Sequence, residues 1–490
     1  MGDDALTVRA SGIPGLLVVH LPLHSDARGW FKENWQRQKM VAAGLPDFGP
    51  VQHSVAHNGP AGVTRGIHAE PWDKFVSVVH GRAFGAWVDL REGATFGAVH
   101  TEELDERTAV FVPRGVGNAY QTLEADTVYS YLVNDHWRPD AAYTMLNLAD
   151  ETAAVPWPLP LGTAQISEKD RTHPSLTDVT PVRGRPTLVL GARGQLGQAL
   201  LSALPGAVGL TRDELDLADP ASVEAFDLSP YGVVINAAGF TAVDAAETPQ
   251  GRREAWAANA TGVAALARAA VRHGFTLVHY STDYVFDGTM AEHAEDEGLS
   301  PLGVYGQSKA AGDLAVSVVP RHYLLRTSWV VGRGRNFVGT MRALAERGAS
   351  PGVVDDQFGR LTFASDLVRA TQHLLSTGAP YGTYNVTNAG EPVAWDEVAR
   401  RVFTRVGAGG EVRPLSTAAY AAGRAPDAPP PAPRPPRSTL CLDRLRATGF
   451  EPRDQWEALD EHLRRASDES TPPVSGTGGV GERVTGIEPA

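Results

Sequence analysis

The chain has 490 residues, more than one ordinary hydrophobic core holds, so its length predicts two or three domains. A hydrophobic share of 42% with a charged share of 21% is typical of globular proteins, and a net charge of −13 argues against nucleic acid and membranes as main partners. The single cysteine, Cys441, excludes an intrachain disulfide, and the N-terminus lacks the basic and apolar regions of a signal peptide. We therefore expect a cytoplasmic protein.

Residues 1–183 are predicted to form an all-β domain. Short apolar and β-branched runs recur there between Gly, Pro and Asp, which is typical of a sandwich or barrel. The clearest runs are Gly15–Leu21, Phe75–Val79, Ala86–Leu90, Ala109–Val112 and Val128–Val133.

One histidine of this domain, His68, is the first candidate for chemistry. Metal-binding barrels of the cupin class place two histidines at alternate positions of a strand, whereas Arg65-Gly-Ile-His68 contains one, so we predict no metal site. A lone histidine is more often a packed core residue than a catalyst. Its neighbours favour catalysis, because Arg65 could pair with a phosphate and Lys74 could stabilise an enolate. The sequence does not decide whether Mg²⁺ is used.

Residues 7–181 resemble the dTDP-4-dehydrorhamnose 3,5-epimerase family, whose members are cupin-like jelly rolls. The motifs that carry the resemblance are Asp26-Ala-Arg-Gly-Trp-Phe31, Arg65-Gly-Ile-His68, Val88-Asp-Leu-Arg91, Val112-Pro-Arg-Gly115, Tyr131 with Trp137-Arg-Pro139, and Ile166-Ser-Glu-Lys-Asp-Arg171.

This resemblance implies a role for each of several residues. His68 would remove a proton next to a ketone, oriented by Asp150, while Tyr131 would return a proton from the other face and Lys74 would stabilise the enolate. The residues implied to hold the nucleotide or sugar are Arg28, Phe31, Glu33, Gln52, Arg65, Asn118 and Lys169. The family often has histidine where Asn118 stands, which leaves open whether both C3 and C5 are inverted.

The sequence pattern changes after residues 184–186, the short segment Gly-Arg-Pro, which we predict to be a linker. Between 187 and 466, strands and helices alternate, and this predicts a Rossmann-type, doubly wound parallel α/β sheet. The predicted elements are the strands Thr187–Leu190, Gly232–Asn236 and Thr276–Tyr280 and the helices Gln195–Leu204 and Arg253–His273. Residues 467–490 are predicted to form a disordered tail, since Ser, Thr, Gly, Pro and Glu dominate there.

A glycine-rich turn connects the first of these strands to its helix. Such a turn lets the backbone approach a pyrophosphate, which then lies at the N-terminus of the helix. The residues of this turn and of the following strand ends that we predict to bind a dinucleotide are Gly191, Arg193, Gly194, Gln195, Leu196, Gly197, Arg212, Asp216, Ala237 and Ala238. The two arginines favour NADPH, with NADH left open.

Tyr305 and Lys309 stand four residues apart and would share one face of a helix. A cation beside a phenol lowers the phenol's pKa, so the pair could give a proton to the alkoxide that forms when hydride reaches a ketone. Thr282, at a strand end, could hydrogen-bond the substrate carbonyl. In this order and spacing, the glycine turn, Thr282, Tyr305 and Lys309 predict a ketone reductase.

Residues 187–465 resemble the extended short-chain dehydrogenase/reductase family, and within it the dTDP-4-dehydrorhamnose reductases. The motifs are Gly194-Gln-Leu-Gly197, Asn236-Ala-Ala-Gly-Phe-Thr-Ala-Val-Asp-Ala-Ala-Glu247, Ser281-Thr-Asp-Tyr-Val-Phe286, Arg326-Thr-Ser-Trp329, Asp356-Gln-Phe-Gly359 and Ala432-Pro-Arg-Pro-Pro-Arg-Ser-Thr-Leu440. The resemblance implies Thr282, Tyr305 and Lys309 as the catalytic residues, with Lys309 also on the nicotinamide ribose. It further implies a small substrate-binding subdomain and a sugar pocket lined by Tyr284 and Trp329.

Both resemblances point to one substrate class, a dTDP-linked 4-keto-6-deoxy sugar. We expect a bifunctional homodimer that epimerises this sugar at C3 and C5 and then reduces it at C4, giving dTDP-L-rhamnose. Two alternatives stay open. The reductase could act alone, with the β domain as a binding or dimerisation module, or the product could be a related deoxysugar such as talose or an antibiotic sugar.

Overall fold

The computed structural model describes residues 5–407, 409–424 and 431–469. The chain divides between Gly184 and Arg185 into two compact units, which we describe separately. Within the described ranges, every helix is too short or too polar to cross a membrane.

The N-terminal unit consists of two antiparallel sheets. The strands are β1 (Thr7–Ala10), β2 (Leu17–His20), β3 (His24–Asp26), β4 (Gly29–Phe31), β5 (Gln52–Asn58), β6 (Thr64–Ala69), β7 (Lys74–His80), β8 (Ala83–Asp89), β9 (Val99–Leu104), β10 (Thr108–Val112), β11 (Val116–Thr122), β12 (Thr127–Val133) and β13 (Thr144–Met145). The helices are α1 (Arg37–Ala42) and α2 (Glu168–Arg171). One sheet has the order β1-β2-β10-β7-β12-β5, the other β13-β6-β11-β8-β9, and β3 and β4 form a separate hairpin.

The space between the two sheets holds the core of this unit. Val76 and Tyr129 of the six-stranded sheet pack there with Trp87 and Tyr120 of the five-stranded sheet. Strand β5 lies at a sheet edge, and its side chains alternate between exposed and half-buried, as the two-residue period of a strand requires. The predicted jelly roll is confirmed.

The C-terminal unit is built on six parallel strands in the order β15-β14-β16-β17-β18-β23. These strands are β14 (Thr187–Leu190), β15 (Val208–Leu210), β16 (Val233–Asn236), β17 (Thr276–Thr282), β18 (His322–Thr327) and β23 (Gly382–Asn385). The remaining strands are β19 (Val330–Val331), β20 (Gly352–Val354), β21 (Phe358–Gly359), β22 (Thr362–Phe363), β24 (Val393–Ala394) and β25 (Arg413–Leu415).

Eleven α-helices accompany these strands in the described residues. They are α3 (Gln195–Ala203), α4 (Pro220–Ala225), α5 (Pro249–Trp256), α6 (Gly262–His273), α7 (Val304–Ser317), α8 (Phe337–Glu346), α9 (Ala364–Thr377), α10 (Trp395–Val406), α11 (Thr417–Ala422), α12 (Asp443–Arg446) and α13 (Gln455–Glu469). The predicted helix Arg253–His273 covers the second half of α5 and all of α6, and a π-helical turn at Ala257–Thr261 separates the two. Helix α13 extends three residues into the predicted tail, and residues 470–490 lie outside the described residues.

Alternate residues of the central strands pack against helices on opposite faces of the sheet. Leu188 and Val234 belong to one hydrophobic cluster, whereas their neighbours Val189 and Ile235 belong to another. Because both faces of the sheet are buried, each strand is a continuous run of apolar residues in the sequence rather than an alternating pattern. The doubly wound sheet is confirmed. Its strand order reverses between β14 and β16, and ligands bind at such a switch point in open α/β sheets.

A third apolar cluster marks a smaller subdomain beside the sheet. It brings together helices α8, α10 and α13, with Phe337, Trp395 and Leu459 among its buried residues. Trp329 joins this cluster from the segment that follows β18. The subdomain therefore adjoins the carboxyl end of the parallel sheet, where the predicted sugar pocket lies.

Candidate active sites

One site of the C-terminal unit is a cavity of about 700 Å³ at the carboxyl ends of its strands. Thr282 ends β17, whereas Tyr305 and Lys309 occupy the first two turns of α7 on one face of the helix. The structure brings these three predicted residues together along the cavity wall. The other predicted residues that line it are Arg193, Gly194, Gln195, Leu196, Ala237, Ala238, Tyr284 and Trp329.

The glycine turn after β14 fits a dinucleotide. A Cβ at Gly197 would lie 2.1 Å from the carbonyl oxygen of Gly191, so the turn can close only around glycine. Helix α3 begins after Gly194 without a side-chain cap, which leaves N–H groups of its first turn for an anion. This geometry suits the pyrophosphate of a nicotinamide dinucleotide.

Two predicted cofactor residues, Arg212 and Asp216, lie beyond β15, outside the described lining of this cavity. They pair with each other at 3.2 Å, and an Asp216 oxygen also accepts the backbone N–H of Ala218 at 2.9 Å. Arg193 lines the cavity and lies 3.4 Å from Asp213. Arg193 and Arg212 are both largely exposed, so each guanidinium can turn towards a phosphate without desolvation.

The pKa of the Tyr305 phenol is shifted in the direction opposite to the predicted one. Burial raises the pKa of its phenol, and a hydrogen bond with Thr282 opposes this only in part. The predicted lowering of this pKa by Lys309 is therefore wrong for this structure. The Lys309 ammonium instead donates to the Tyr280 carbonyl at 2.6 Å. A phenol that stays protonated is suited to donate a proton rather than to accept one.

Lys309 is enclosed by groups that the sequence did not single out. Its Nζ lies 3.4 Å from Nε2 of His279, whose Nδ1 accepts from the Asn236 amide at 3.0 Å. Burial lowers the pKa of Lys309 to about 8. These partners are visible only after β16 and β17 pair side by side, which places Asn236 opposite His279.

Asp283 is a further site residue that sequence reasoning missed, although it stands inside the quoted motif 281–286. It lines the cavity and accepts a hydrogen bond from Thr282 at 2.9 Å. Burial raises the pKa of its carboxyl to about 6. It therefore supplies an acceptor beside the pair formed by Thr282 and Tyr305.

The predicted sugar-pocket residues are held by aromatic packing. The ring of Tyr284 meets that of Tyr305 edge-on, with centroids 6.0 Å apart. Trp329 stacks on Trp395 at 3.6 Å and has a positive φ of 44°. The subdomain therefore fixes one wall of the cavity.

A second site lies in the N-terminal unit, at a cavity of about 700 Å³ lined by Arg65 and His68 of β6 and by residues 164–167. His68 Nε2 lies 3.0 Å from a carboxylate oxygen of Asp170, which is on α2. An N–H at this position leaves the lone pair on Nδ1, as a general base requires.

Asp150 does not orient His68, so that prediction is wrong. Its two carboxylate oxygens accept the backbone N–H groups of Ala153 and Leu176, each at 2.7 Å. It thereby closes a turn in the loop after β13. Asp170 occupies the position beside His68 that was predicted for Asp150. It belongs to the motif Ile166–Arg171, which could have indicated it from the sequence.

A pair of variants tests this reassignment. We expect Asp170→Asn to slow by about 10²-fold to 10⁴-fold the exchange of the proton that His68 is predicted to remove, because the amide no longer fixes the His68 tautomer. Asp150→Asn should leave exchange intact and lower the free energy of unfolding by about 0.5–2 kcal/mol through loss of a backbone cap. Solvent-deuterium exchange and thermal unfolding measure the two effects. The reverse pattern would restore Asp150 as the partner of His68.

Lys74 and Tyr131 lie on the other sheet. Lys74 is buried and pairs with Glu70 at 2.8 Å, and its ammonium lies 5.4 Å from the centre of the Tyr131 ring. Burial lowers the pKa of Lys74, while the Glu70 carboxylate opposes that shift. The predicted base and the predicted acid therefore come from opposite sheets, as proton transfer at two faces of one carbon requires.

Some predicted substrate residues have partners within the jelly roll. Asn118 pairs with His68 in register, and its oxygen accepts from Trp87 at 2.9 Å and from Tyr129 at 3.2 Å. Gln52 binds the backbone N–H of Trp137 at 2.9 Å. Arg65 lines the cavity and bonds Asn58 at 3.2 Å.

The other predicted substrate residues lie outside the described lining of the His68 cavity. Arg28 and Phe31 are on the β3–β4 hairpin, with 90% of the Arg28 side chain and 64% of Phe31 exposed. Glu33 lines a separate cavity of about 220 Å³, and Lys169 is exposed on α2. The described residues of one chain therefore do not bring these four to His68.

These two sites define the class of protein: a jelly roll with a carboxylate-bound histidine, fused to a dinucleotide-binding ketone reductase. The chain belongs to the family described as RmlD substrate binding domain, which residues 185–467 match. Residues 10–178 match the dTDP-4-dehydrorhamnose 3,5-epimerase family. The predicted fusion is confirmed.

Individual relatives match one part of the chain each. The RmlC homolog of Streptococcus pyogenes is 47% identical over 178 residues, which are 35% of this chain and 89% of that protein. The dTDP-4-dehydrorhamnose reductase of Mycobacterium tuberculosis is 37% identical over 289 residues, 56% of this chain and 91% of that protein. A crystal structure of the Bacillus anthracis reductase in complex with NADP has a TM-score of 0.52 at 32% identity, covering 58% of this chain and 99% of that one.

Proposed function

We propose that this chain carries out two consecutive reactions on a dTDP-4-keto-6-deoxy sugar. The N-terminal unit epimerises it at C3 and C5, and the C-terminal unit reduces the resulting 4-keto-L-sugar at C4 to dTDP-L-rhamnose. The observation that carries the proposal is that Thr282, Tyr305 and Lys309 line one cavity with a dinucleotide-type glycine turn. The carboxylate-bound His68 supports the first reaction.

For epimerisation, we assign His68 as the base that takes the proton from the carbon next to the ketone. Asp170 holds the imidazole through Nε2 and stabilises the imidazolium that forms. The Lys74 ammonium stabilises the enolate oxygen, and Tyr131, on the opposite sheet, returns a proton from the other side. The carbon is thereby inverted without a redox cofactor.

For reduction, NADPH supplies a hydride to C4, and the glycine turn, Ala237 and Lys309 are the residues that would hold it. The NADP complex of the Bacillus anthracis reductase and the exposed Arg193 support NADPH. Tyr305 donates its proton to the C4 oxygen, and the Thr282 hydroxyl, which donates to Asp283 in the free protein, turns to donate a hydrogen bond to the same oxygen. Burial keeps the phenol protonated until hydride arrives.

The direct test supplies dTDP-4-keto-6-deoxyglucose and NADPH to the purified chain, with no other enzyme present. We expect NADPH oxidation and a single product with L-rhamno configuration in the NMR spectrum. NADPH oxidation that yields a D-configured product would show that only the C-terminal unit is active. Absence of oxidation with this sugar, but turnover of a sugar that is already epimerised, would assign the β domain a binding role.

The reduction should lose rate at alkaline pH. The pKa of Lys309 is lowered to about 8, so its ammonium is present below that pH and is lost above it. We expect kcat of reduction to be flat up to about pH 8 and then to fall about tenfold per pH unit. NADPH titrations at each pH separate binding from chemistry. A rate that stays constant to about pH 10 would exclude Lys309 as the titrating group.

We also propose that the chain is a homodimer through its jelly roll, and that it works in the reducing cytoplasm. The edge strand β5 exposes 58% of Val55, and the β3–β4 hairpin exposes Phe31. A second copy would cover these surfaces. Arg28 and Phe31, if they hold substrate as the resemblance implies, would then reach the site of the partner.

Light scattering on two matched variants tests the dimer. Val55→Lys places a charge on the proposed interface, so we expect the mass to fall from dimer to monomer. Val271→Lys changes a valine of α6 that is exposed to a similar degree, 59%, and should remain dimeric. A wild-type monomer, or equal behaviour of both variants, would contradict the proposed interface.

A further inference from the structure

His173, two residues after α2, is a buried histidine that the proposed mechanism does not use. Its side chain is 6% exposed, and neither ring nitrogen makes a hydrogen bond to any residue that the structure describes. Its polar neighbours are the Leu146 backbone and the Asp170 carboxylate, the latter 3.7 Å from Nε2. A buried imidazole whose nitrogens make no close hydrogen bond is costly, which favours a ligand for this ring in the working protein.

The ring is directed at the pair formed by His68 and Asp170. Its Nε2 lies 3.7 Å from the Asp170 oxygen that also faces His68, and the two imidazole centroids are 5.4 Å apart. One donor atom from each of the three residues lies within 4.8 Å of the others. Ligand atoms of a tetrahedral zinc ion are about 3.4 Å apart, given metal–ligand distances of about 2.0–2.2 Å. Small rotations of the side chains would complete such a site.

We propose that His68, Asp170 and His173 form an inhibitory site for a divalent transition-metal ion. Two imidazoles and one carboxylate select ions such as Zn²⁺ or Co²⁺ over Mg²⁺, which prefers oxygen ligands. The cavity lined by His68 and Asp170 gives the ion a path from solvent. The sequence did not predict this site, because its ligands come from β6, α2 and the following loop rather than from one strand.

Metal binding would switch off epimerisation. An imidazole bound through one nitrogen carries its proton on the other, so His68 would have no lone pair for the substrate. This consequence rests on the proposed role of His68 as the base, whereas metal binding itself does not. The two ideas can therefore fail separately.

Binding is tested by titrating the full-length chain with Co²⁺ and recording its visible absorption. We expect one ion per chain, with intense bands of a four- or five-coordinate site, and loss of these bands in His173→Asn. The matched control is His57→Asn, since His57 forms an exposed pair with Asp126 at 3.3 Å and should not matter. Bands that persist in His173→Asn would overturn the site. If that variant does not fold, His68→Gln replaces it, with the same expected loss.

Inhibition is tested by solvent-deuterium exchange into the keto sugar with and without Zn²⁺. We expect Zn²⁺ to slow exchange at least about tenfold in the wild type, to be reversed by a chelator, and to have little effect in His173→Asn. Equal inhibition of both proteins would overturn the proposal. Exchange that is absent even without metal would contradict the function of His68, while the Co²⁺ spectrum would still decide the metal site.

Discussion

Tyr305→Phe should reduce the rate of C4 reduction by about 10²-fold to 10⁴-fold, the usual contribution of a positioned proton donor. The change removes only the phenol oxygen, and the ring can keep its edge-on contact with Tyr284. NADPH binding should therefore persist, because the residues of the glycine turn are unchanged. Deuterium exchange at C3 and C5 should also persist, because the N-terminal unit is the one proposed to exchange those protons. NADPH oxidation, fluorescence titration and NMR measure the three quantities.

Tyr323→Phe is the matched control for this experiment. Tyr323 is also buried, but its hydroxyl donates to the backbone carbonyls of Leu374 at 3.1 Å and Ala379 at 2.6 Å, away from the described lining of the cavity. We expect a loss of about 1 kcal/mol in stability with near-normal turnover. Reduction that survives in Tyr305→Phe would show that another group supplies the proton. Simultaneous loss of both activities would contradict the division into two sites.

His68→Ala should lower deuterium exchange at C3 and C5 by a similar factor, about 10²-fold to 10⁴-fold, because the base itself is lost. Reduction of a supplied 4-keto-L-sugar should continue at the wild-type rate. The side chain is 31% exposed and lines the cavity, so the space left by its truncation joins that cavity. The free energy of unfolding should therefore fall less than it does for a large-to-small substitution in the core.

His100→Asn provides the comparison for His68→Ala. His100 belongs to the same sheet, on β9, and lies 3.5 Å from Glu102. A histidine beside a carboxylate is thus present in both places, but only His68 lines the cavity. Exchange that is equally slow in both variants would indicate a general effect on the jelly roll. Exchange unchanged in His68→Ala would exclude its role as the base.

Local patterns made much of the fold predictable. The predicted strand Thr187–Leu190 matches β14 at both ends, and the predicted helix Gln195–Leu204 differs from α3 by one residue. The glycine turn and the Tyr305–Lys309 spacing were informative because each depends on a few consecutive residues of one turn or one helix face.

Features that depend on distant contacts were not predictable in this way. The partner of His68 is Asp170, 102 residues away, and either of two buried aspartates could have served until the loops were placed. The raised pKa of Tyr305 follows from its burial, whereas the sequence showed only a lysine four residues away. The exposed β3–β4 hairpin likewise places Arg28 and Phe31 outside the described lining of the His68 cavity, which the order of residues along the chain could not show.

Labelling in deuterated water tests most directly whether one chain first inverts and then reduces its sugar. The wild-type chain is incubated with dTDP-4-keto-6-deoxyglucose and NADPH in D₂O, and the product is analysed by NMR. We predict a product with L-rhamno configuration that carries deuterium at C3 and C5 and protium at C4, delivered from NADPH. A reduced sugar that retains protium at C3 and C5 would contradict this order of reactions, because reduction would then occur without epimerisation.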